Sequence, residues 1–244
     1  MNHNILQYRI KQIIKRNFLG QPEPFLCIIT PIFDPTLKSL KGLVGDLQNQ
    51  TNRSFIHIII ANGKEERILK YIENVRLSDR RFVYDEIPFI DTYQKSNLVE
   101  DLLVINGIRR NTVMQKYDAK LYLNLGADFR ITDEKIFEKI EDYYKETQKD
   151  IILLESLVKK ERYPIHPVNK HRHIDLTNFC YTKKIARKYK YPEDTNSKYD
   201  VSNDFRYFNK IANFSLLEGV YGEKDGRNYY TSIEDIYNAE QKNK

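Results

Sequence analysis

The stretch Ala119-Lys120-Leu121-Tyr122-Leu123-Asn124-Leu125-Gly126-Ala127-Asp128-Phe129 decides the fold. Its apolar run has the length of a strand, and it ends in a small-residue turn followed by one carboxylate. In an open α/β sheet, ligands bind just beyond the carboxyl ends of the strands, so Asp128 is placed to hold a metal or a polar substrate group. An Asp that merely orders the turn fits the same residues. The rest of the chain has to decide between the two.

With 244 residues the chain can bury a full core, as one large α/β domain or two small ones. No apolar run approaches the length needed to span a bilayer, and residues 1–20 lack the apolar core and cleavage site of a secretory signal. Cys27 and Cys180 are too few for a disulfide framework and have no metal-ligand spacing, so reducing cytoplasm is the expected compartment. Net charge is +6, with basic and acidic residues interspersed. The densest basic run, at 183–190, comes without tandem aromatics or a reading helix, so no nucleic-acid partner is expected. Anionic lipid, a phosphorylated substrate and a solvated helix face all fit that run.

Leu6, Ile10, Ile13, Ile14 and Phe18 recur at helical spacing among Arg9, Lys11, Lys15 and Arg16, a basic amphipathic helix over 4–19. It can pack on the domain or lie on a membrane surface. A linker at 20–24 follows. Residues 25–30 form a continuous apolar run, the pattern of a strand covered on both faces. Pro31 is expected to break it, with Asp34-Pro35 capping the next helix. Leu37, Leu40, Leu43, Val44 and Leu47 give that helix a buried stripe, and a second buried strand over 55–60 ends at Ala61-Asn62-Gly63. The pattern predicts a βαβ unit. Alternation continues with helix over 65–76, strand over 81–87, helix over 97–116, the opening strand, a helix from Asp133 and a strand over 151–154. That order predicts an α/β fold with a mainly parallel sheet. Beyond about residue 158 the chain reads as loops, a short strand over 176–181, a helix from Thr182 and another beginning near Val201.

There is no G-x-x-x-x-G-K-[ST], no G-x-G-x-x-G and no G-x-S-x-G, so phosphate loops, the dinucleotide fingerprint and the serine-hydrolase elbow are unsupported. Three features fall instead at successive strand ends: Thr30-Pro31-Ile32-Phe33-Asp34, Ala61-Asn62-Gly63 and Gly126-Ala127-Asp128. Here the sequence resembles the family-2 glycosyltransferases, which have the GT-A fold. Pro31-Ile32-Phe33-Asp34 is close to the family's Pro-x-Tyr-Asn turn, and Asp46-Leu47-Gln48-Asn49-Gln50-Thr51 looks like its Ser-Leu-x-x-Gln-Thr phrase. Arg109-Arg110-Asn111 resembles its Ala-Arg-Asn element, and Gly126-Ala127-Asp128 stands where the family carries Asp-x-Asp. His173-Ile174-Asp175-Leu176-Thr177-Asn178-Phe179 looks like the acceptor-side strand, and Asn203-Asp204 resembles the site of the catalytic base. Two departures stand out: Gly126 replaces the first metal-site Asp, and the Asp that usually grips the nucleobase is replaced around Ala61-Asn62.

The resemblance implies a GT-A, Rossmann-like mixed sheet flanked by helices. It divides the chain into a basic helix and linker (1–22), a nucleotide-sugar-binding half (23–158), an acceptor-side half of the same domain (159–232) and a tail (233–244). It implies transfer of a sugar from a nucleotide-diphosphate donor, UDP-linked in preference, to a glycan or lipid-linked acceptor, with inversion, as in polysaccharide biosynthesis. Thr30, Pro31, Phe33, Asn62, Arg110, Asn111 and Ala127 would bind the donor, and Asp128 would hold Mn²⁺ or Mg²⁺. Asp204 would be the general base, although Ser202-Asn203-Asp204 also suits a helix start. His173 and Asp175 are acceptor or metal contacts, or local polar structure. The location expected is the cytoplasm, with contact to an anionic membrane surface open. The competing reading is a GT-A-like module that has lost catalysis and binds a glycan or a protein. A sugar-phosphate nucleotidyltransferase would need a glycine- and basic-rich loop that Thr30–Asp34 does not provide.

Overall fold

A computed structural model of the chain describes residues 23–32, 36–90, 98–158, 161–163, 177, 179–191, 207 and 214–224. The basic helix expected over 4–19, Phe33, the Asp34-Pro35 cap, His173, Asp175, Asp204 and the tail lie outside the described residues.

Strands β1 (Leu26–Ile32), β2 (Phe55–Asn62), β3 (Phe82–Ile87) and β4 (Leu121–Asn124) run parallel in the order β3-β2-β1-β4. Parallel neighbours need crossovers, and helices α1 (Leu37–Gln48), α2 (Glu66–Ser78) and α3 (Leu98–Lys116) supply them. The chain then adds β5 (Phe129–Ile131), α4 (Ile136–Thr147), β6 (Ile151–Val158), β7 (Glu161–Tyr163), β8 (Phe179–Thr182), α5 (Lys183–Lys188) and β9 (Phe214–Lys224). All the strands among the described residues belong to one sheet of order β3-β2-β1-β4-β8-β6-β9-β5, with β7 hairpinned onto β6. β5, β7 and β8 run against the other six, so the sheet is mixed and mainly parallel, as expected.

Each face of the sheet carries its own core. Leu26, Ile28 and Ile32 meet the apolar stripes of α1, α2 and α4, among them Leu43, Ile72 and Phe137. Cys27 and Ile29 meet Ile105, Val113 and Met114 of α3 and Ile185 of α5. Alternate β1 side chains thus enter opposite cores, which is why its sequence is apolar at nearly every position. Both cysteines are buried and free.

Several details depart from the sequence reading. β1 runs through Pro31 to Ile32. The Ile29 carbonyl accepts from Leu125 N–H on the β4 side, so two residues on Pro31 faces that same side. β4 is paired with β1 only as far as Ile29, and the missing Pro31 N–H costs no ladder bond. α1 begins at Leu37, with Thr36 as a cap residue that makes no side-chain cap bond. α4 begins at Ile136, and Asp133 instead accepts from Lys135 N–H and Lys139 Nζ just before it. β5, β7 and β9 are additional strands.

The Asp46-to-Thr51 phrase ties α1 to the region after β4. Asp46 accepts two bonds from the Arg130 guanidinium and one from Ile131 N–H. Gln50 Nε2 donates to the Asp133 carbonyl and Thr51 N–H to that of Glu134. These bonds fix the segment that leaves β4 relative to the helix that follows β1. No helix among the described residues is long and apolar enough to cross a membrane.

Candidate functional site

The carboxyl ends of β1, β2, β3 and β4 lie along one edge of the sheet. Register places Ile32 opposite Ala61, Asn62 opposite Ile87, and Ile29 opposite Asn124. Thr30, Pro31, Asn62, Ala127 and Asp128 therefore share that edge. Thr30 is buried, and its Oγ1 lies 2.8 Å from Nε2 of His57, which is also buried. Burial, with no charged partner, lowers the His57 pKa to about 3, so the ring is neutral at physiological pH. Its Nδ1 has no hydrogen-bond partner. The tautomer protonated at Nε2 leaves only a lone pair unmet rather than an N–H, so His57 is assigned as donor to Thr30.

Asn62 ends β2, and its amide is committed locally. Nδ2 donates to the Ile90 carbonyl and Oδ1 accepts from Ile90 N–H, both at 2.9 Å. One N–H and one lone pair of the amide remain. Gly63 adopts φ +78°, and a Cβ there would press on the Phe89 side chain at 3.1 Å. Tyr84 Oη donates to the Gly63 carbonyl and accepts from Glu65 N–H. The turns after β2 and β3 are thereby bound to each other.

Ala127 is buried and Asp128 half-buried. Phe129 N–H closes the turn onto the Gly126 carbonyl. The Asp128 Oδ1 leans over Gly126, where any Cβ would collide with it. Gly126 leaves open the space that this carboxylate occupies, and a side chain there would turn it aside.

The three residues of the 109–111 element face different tasks. Asn111 is buried and clamps Tyr191, with Nδ2 donating to its carbonyl at 3.0 Å and Oδ1 accepting from its N–H at 2.8 Å. Arg110 stacks its guanidinium over the Tyr191 ring at 4.8 Å, with Nε buried and unpaired. Arg109 was not singled out from sequence, yet it is 5 % exposed and continues the buried stripe of Ile105 and Val113 at four-residue spacing. A charge on that stripe was the available signal. Its Nη1 donates to Asn106 Oδ1 and its Nε has no partner. Burial and then the neighbouring Arg110 charge lower its pKa to about 10, opposed by Glu65 and Tyr84. Asn124, at the end of β4, donates to Tyr181 Oη and leaves Oδ1 unmet.

The basic run at 183–190 is elsewhere. Lys183 pairs with Glu23 and Asp118, Lys184 with Asp150 and Arg187 with Asp118. Those acids precede β1, β4 and β6, at the amino edge of the sheet. Three of the run's five basic side chains are thus ion-paired, Lys188 lies over the Tyr189 ring, and the pairs lie away from the carboxyl edge.

No protein-family model matches the chain, and no curated protein matches it. Solved structures do. S. aureus TarS, a GT-A-type glycosyltransferase, superposes with a TM-score of 0.63 at 14 % identity, over 88 % of this chain and 38 % of TarS. TarS 1–349 in complex with UDP-GlcNAc gives 0.63 at 14 % identity, over 88 % of this chain and 64 % of that one. The mannosyltransferase PcManGT from Pyrobaculum calidifontis, in complex with GDP-Man and Mn²⁺, gives 0.61 at 10 % identity, over 93 % of this chain and 66 % of that one. The chain spans less than two thirds of the TarS chains. At these identities the likeness is one of fold: the chain has the nucleotide-sugar-transferase fold of glycosyltransferases.

Proposed function

We propose that the protein transfers a sugar from a nucleoside-diphosphate donor, UDP-linked in preference, to a hydroxyl of a glycan or lipid-linked acceptor. Fold by itself does not carry function. The observation that carries this reading is the meeting of Thr30-Pro31, Asn62-Gly63 and Gly126-Ala127-Asp128 at one carboxyl edge of a sheet of this fold. That edge is where open α/β sheets bind ligands.

The donor's nucleotide would lie across the ends of β1 and β2, with Thr30, Pro31, Phe33 and Asn62 around the nucleoside and Ala127 beneath it. Arg109 and Arg110 would face the diphosphate, and Asn111 would act through Tyr191, which supports the Arg110 guanidinium. A divalent ion fits this chain in a restricted way. Among the described residues no three His, Cys, Asp or Glu side chains gather. Asp128 would be the ion's protein carboxylate, with phosphate oxygens and water completing the shell, a donor set that Mg²⁺ accepts. Bound there, the ion would stabilise negative charge on the departing nucleoside diphosphate.

Asp204 is assigned as the general base that removes the acceptor proton as its oxygen attacks the anomeric carbon. Attack from the face opposite the leaving group inverts the configuration. His173 and Asp175 are assigned to the acceptor side. Gly126 in place of a second carboxylate also favours one other reading, a non-catalytic module that binds a glycan or a protein. The two separate in one assay: release of nucleoside diphosphate from a panel of UDP-, GDP- and CDP-sugars with Mn²⁺. Release from one donor class supports the transferase. No release from any, together with glycan or protein binding, supports the module.

A further inference from the structure

Pro88, Phe89 and Ile90 follow β3 as a contiguous exposed apolar run, with Phe89 66 % and Ile90 36 % exposed. A lone exposed apolar residue such as Leu77, at the end of α2, needs no explanation. Phe89 differs because the chain holds it in place. Both amide groups of Asn62 bond the backbone of Ile90, the next residue. The ring rests on Gly63, where a Cβ would come within 3.1 Å of both Phe89 Cβ and Cδ2. Gly63 is also held at φ +78° and bonded through its N–H to the Ile87 carbonyl. A left-handed glycine, an asparagine spent on one loop and an exposed ring together make a fixed aromatic platform. It stands beside the unused N–H and lone pair of Asn62.

We infer that Phe89 is a stacking platform for the donor's nucleobase and that Asn62 serves chiefly to hold it there. This rests on the transferase reading and assigns its base contact to a residue that strand-end motifs do not reveal. A planar ring with a hydrogen-bonding edge matches a rigid apolar face next to one donor and one acceptor. Aromatic platforms of this kind bind bases through their π-faces. An apolar protein surface would leave the amide edge of Asn62 without a purpose.

The test is calorimetric titration, with Mn²⁺ present, of UDP, GDP and CDP into wild type and of the nucleotide that binds into Phe89→Ala and Phe89→Trp. Inorganic pyrophosphate is titrated in parallel. Phe89 is exposed, so Phe89→Ala should keep the wild-type thermal unfolding midpoint. Stacking predicts nucleotide affinity weaker by about five- to 150-fold in Phe89→Ala, retained affinity in Phe89→Trp and unchanged pyrophosphate affinity in both. Unchanged nucleotide affinity in Phe89→Ala overturns this inference alone, as does an equal loss for pyrophosphate. Absence of binding by any nucleoside diphosphate to wild type overturns the transferase reading and this inference with it.

Discussion

The two edges of the sheet differ in how the basic side chains nearest them are partnered. At the amino edge, charges are answered by charges: Glu23, Asp118 and Asp150 hold Lys183, Lys184 and Arg187. Burial alone would raise the Asp118 and Asp150 carboxyls, but the cations beside them bring both below their ordinary values. At the carboxyl edge, polarity is left over. Arg109 is buried against a neutral partner, Nε of Arg109 and Oδ1 of Asn124 are unmet, and Phe89 is held in the open. The contrast teaches that a basic run in a sequence is a poor guide to an anion site. Unmet groups are not confined to one edge, since Gln50 Oε1 and Arg81 Nη1 at the amino edge also lack partners; what sets the carboxyl edge apart is that its unmet groups stand beside an exposed, held aromatic ring.

Variants can break or sharpen that contrast. The largest effect is expected at Asp204→Asn, which should lower turnover by about 10²–10⁴-fold while sparing donor binding, measured by product release and titration side by side. Asp128→Asn should lower metal-dependent turnover by about 10²–10³-fold and remove the metal dependence of nucleotide binding, with the unfolding midpoint retained. Retained metal dependence would take Asp128 out of that role.

A smaller effect concerns stability against pH. His57 has a folded pKa of about 3 against an ordinary 6.5, so between those values the unfolded chain takes up a proton that the folded chain refuses. Stability should therefore be complete above pH 6.5 and fall as pH drops toward 3. The Asp118 and Asp150 carboxyls add their own loss only near and below about pH 4. His57→Gln should flatten the dependence between pH 6.5 and 4, read from unfolding midpoints across that range; an unchanged slope would place the titrating group elsewhere. The smallest effect is expected at the amino edge. Lys184→Ala should leave the unfolding midpoint nearly unchanged, because an exposed ion pair contributes little, and leave nucleotide affinity unchanged. A clear loss of nucleotide affinity there would undo the distinction between the edges.

The half of the fold built from local pattern was legible in sequence. β1, β2, α3 and β6 carry apolar runs or stripes that belong to one element each, and Thr182 caps α5 through Ile185 N–H where the helix was expected to begin. The strands that escaped depend on partners far away. β9 contains Gly219 and Gly222 and pairs with β6 across register shifts, so its alternation is broken. Gly222 is there because a Cβ would run into the Arg130 carbonyl and the Phe129 ring of β5, a contact no local window contains. The site was legible as an edge and less so as a set of contacts. Strand-end spacing pointed to Asn62 and Asp128, but it could not say that Asn62 bonds Ile90 or that Gly126 accommodates Asp128. Arg109 was hidden by its neighbour Arg110, although its place on the buried stripe of α3 was available in the spacing.

The most direct measurement is thermal unfolding of the protein with UDP, GDP and CDP, each with and without Mn²⁺. A ligand at a hundredfold excess over its Kd stabilises the native state by about 2.7 kcal/mol, which a shifted midpoint reports readily. An upward shift is expected with one nucleotide, UDP in preference, that depends on the metal and disappears in Asp128→Asn. The same midpoint with every nucleotide and metal would contradict it and leave the carboxyl edge as a surface for a glycan or a protein.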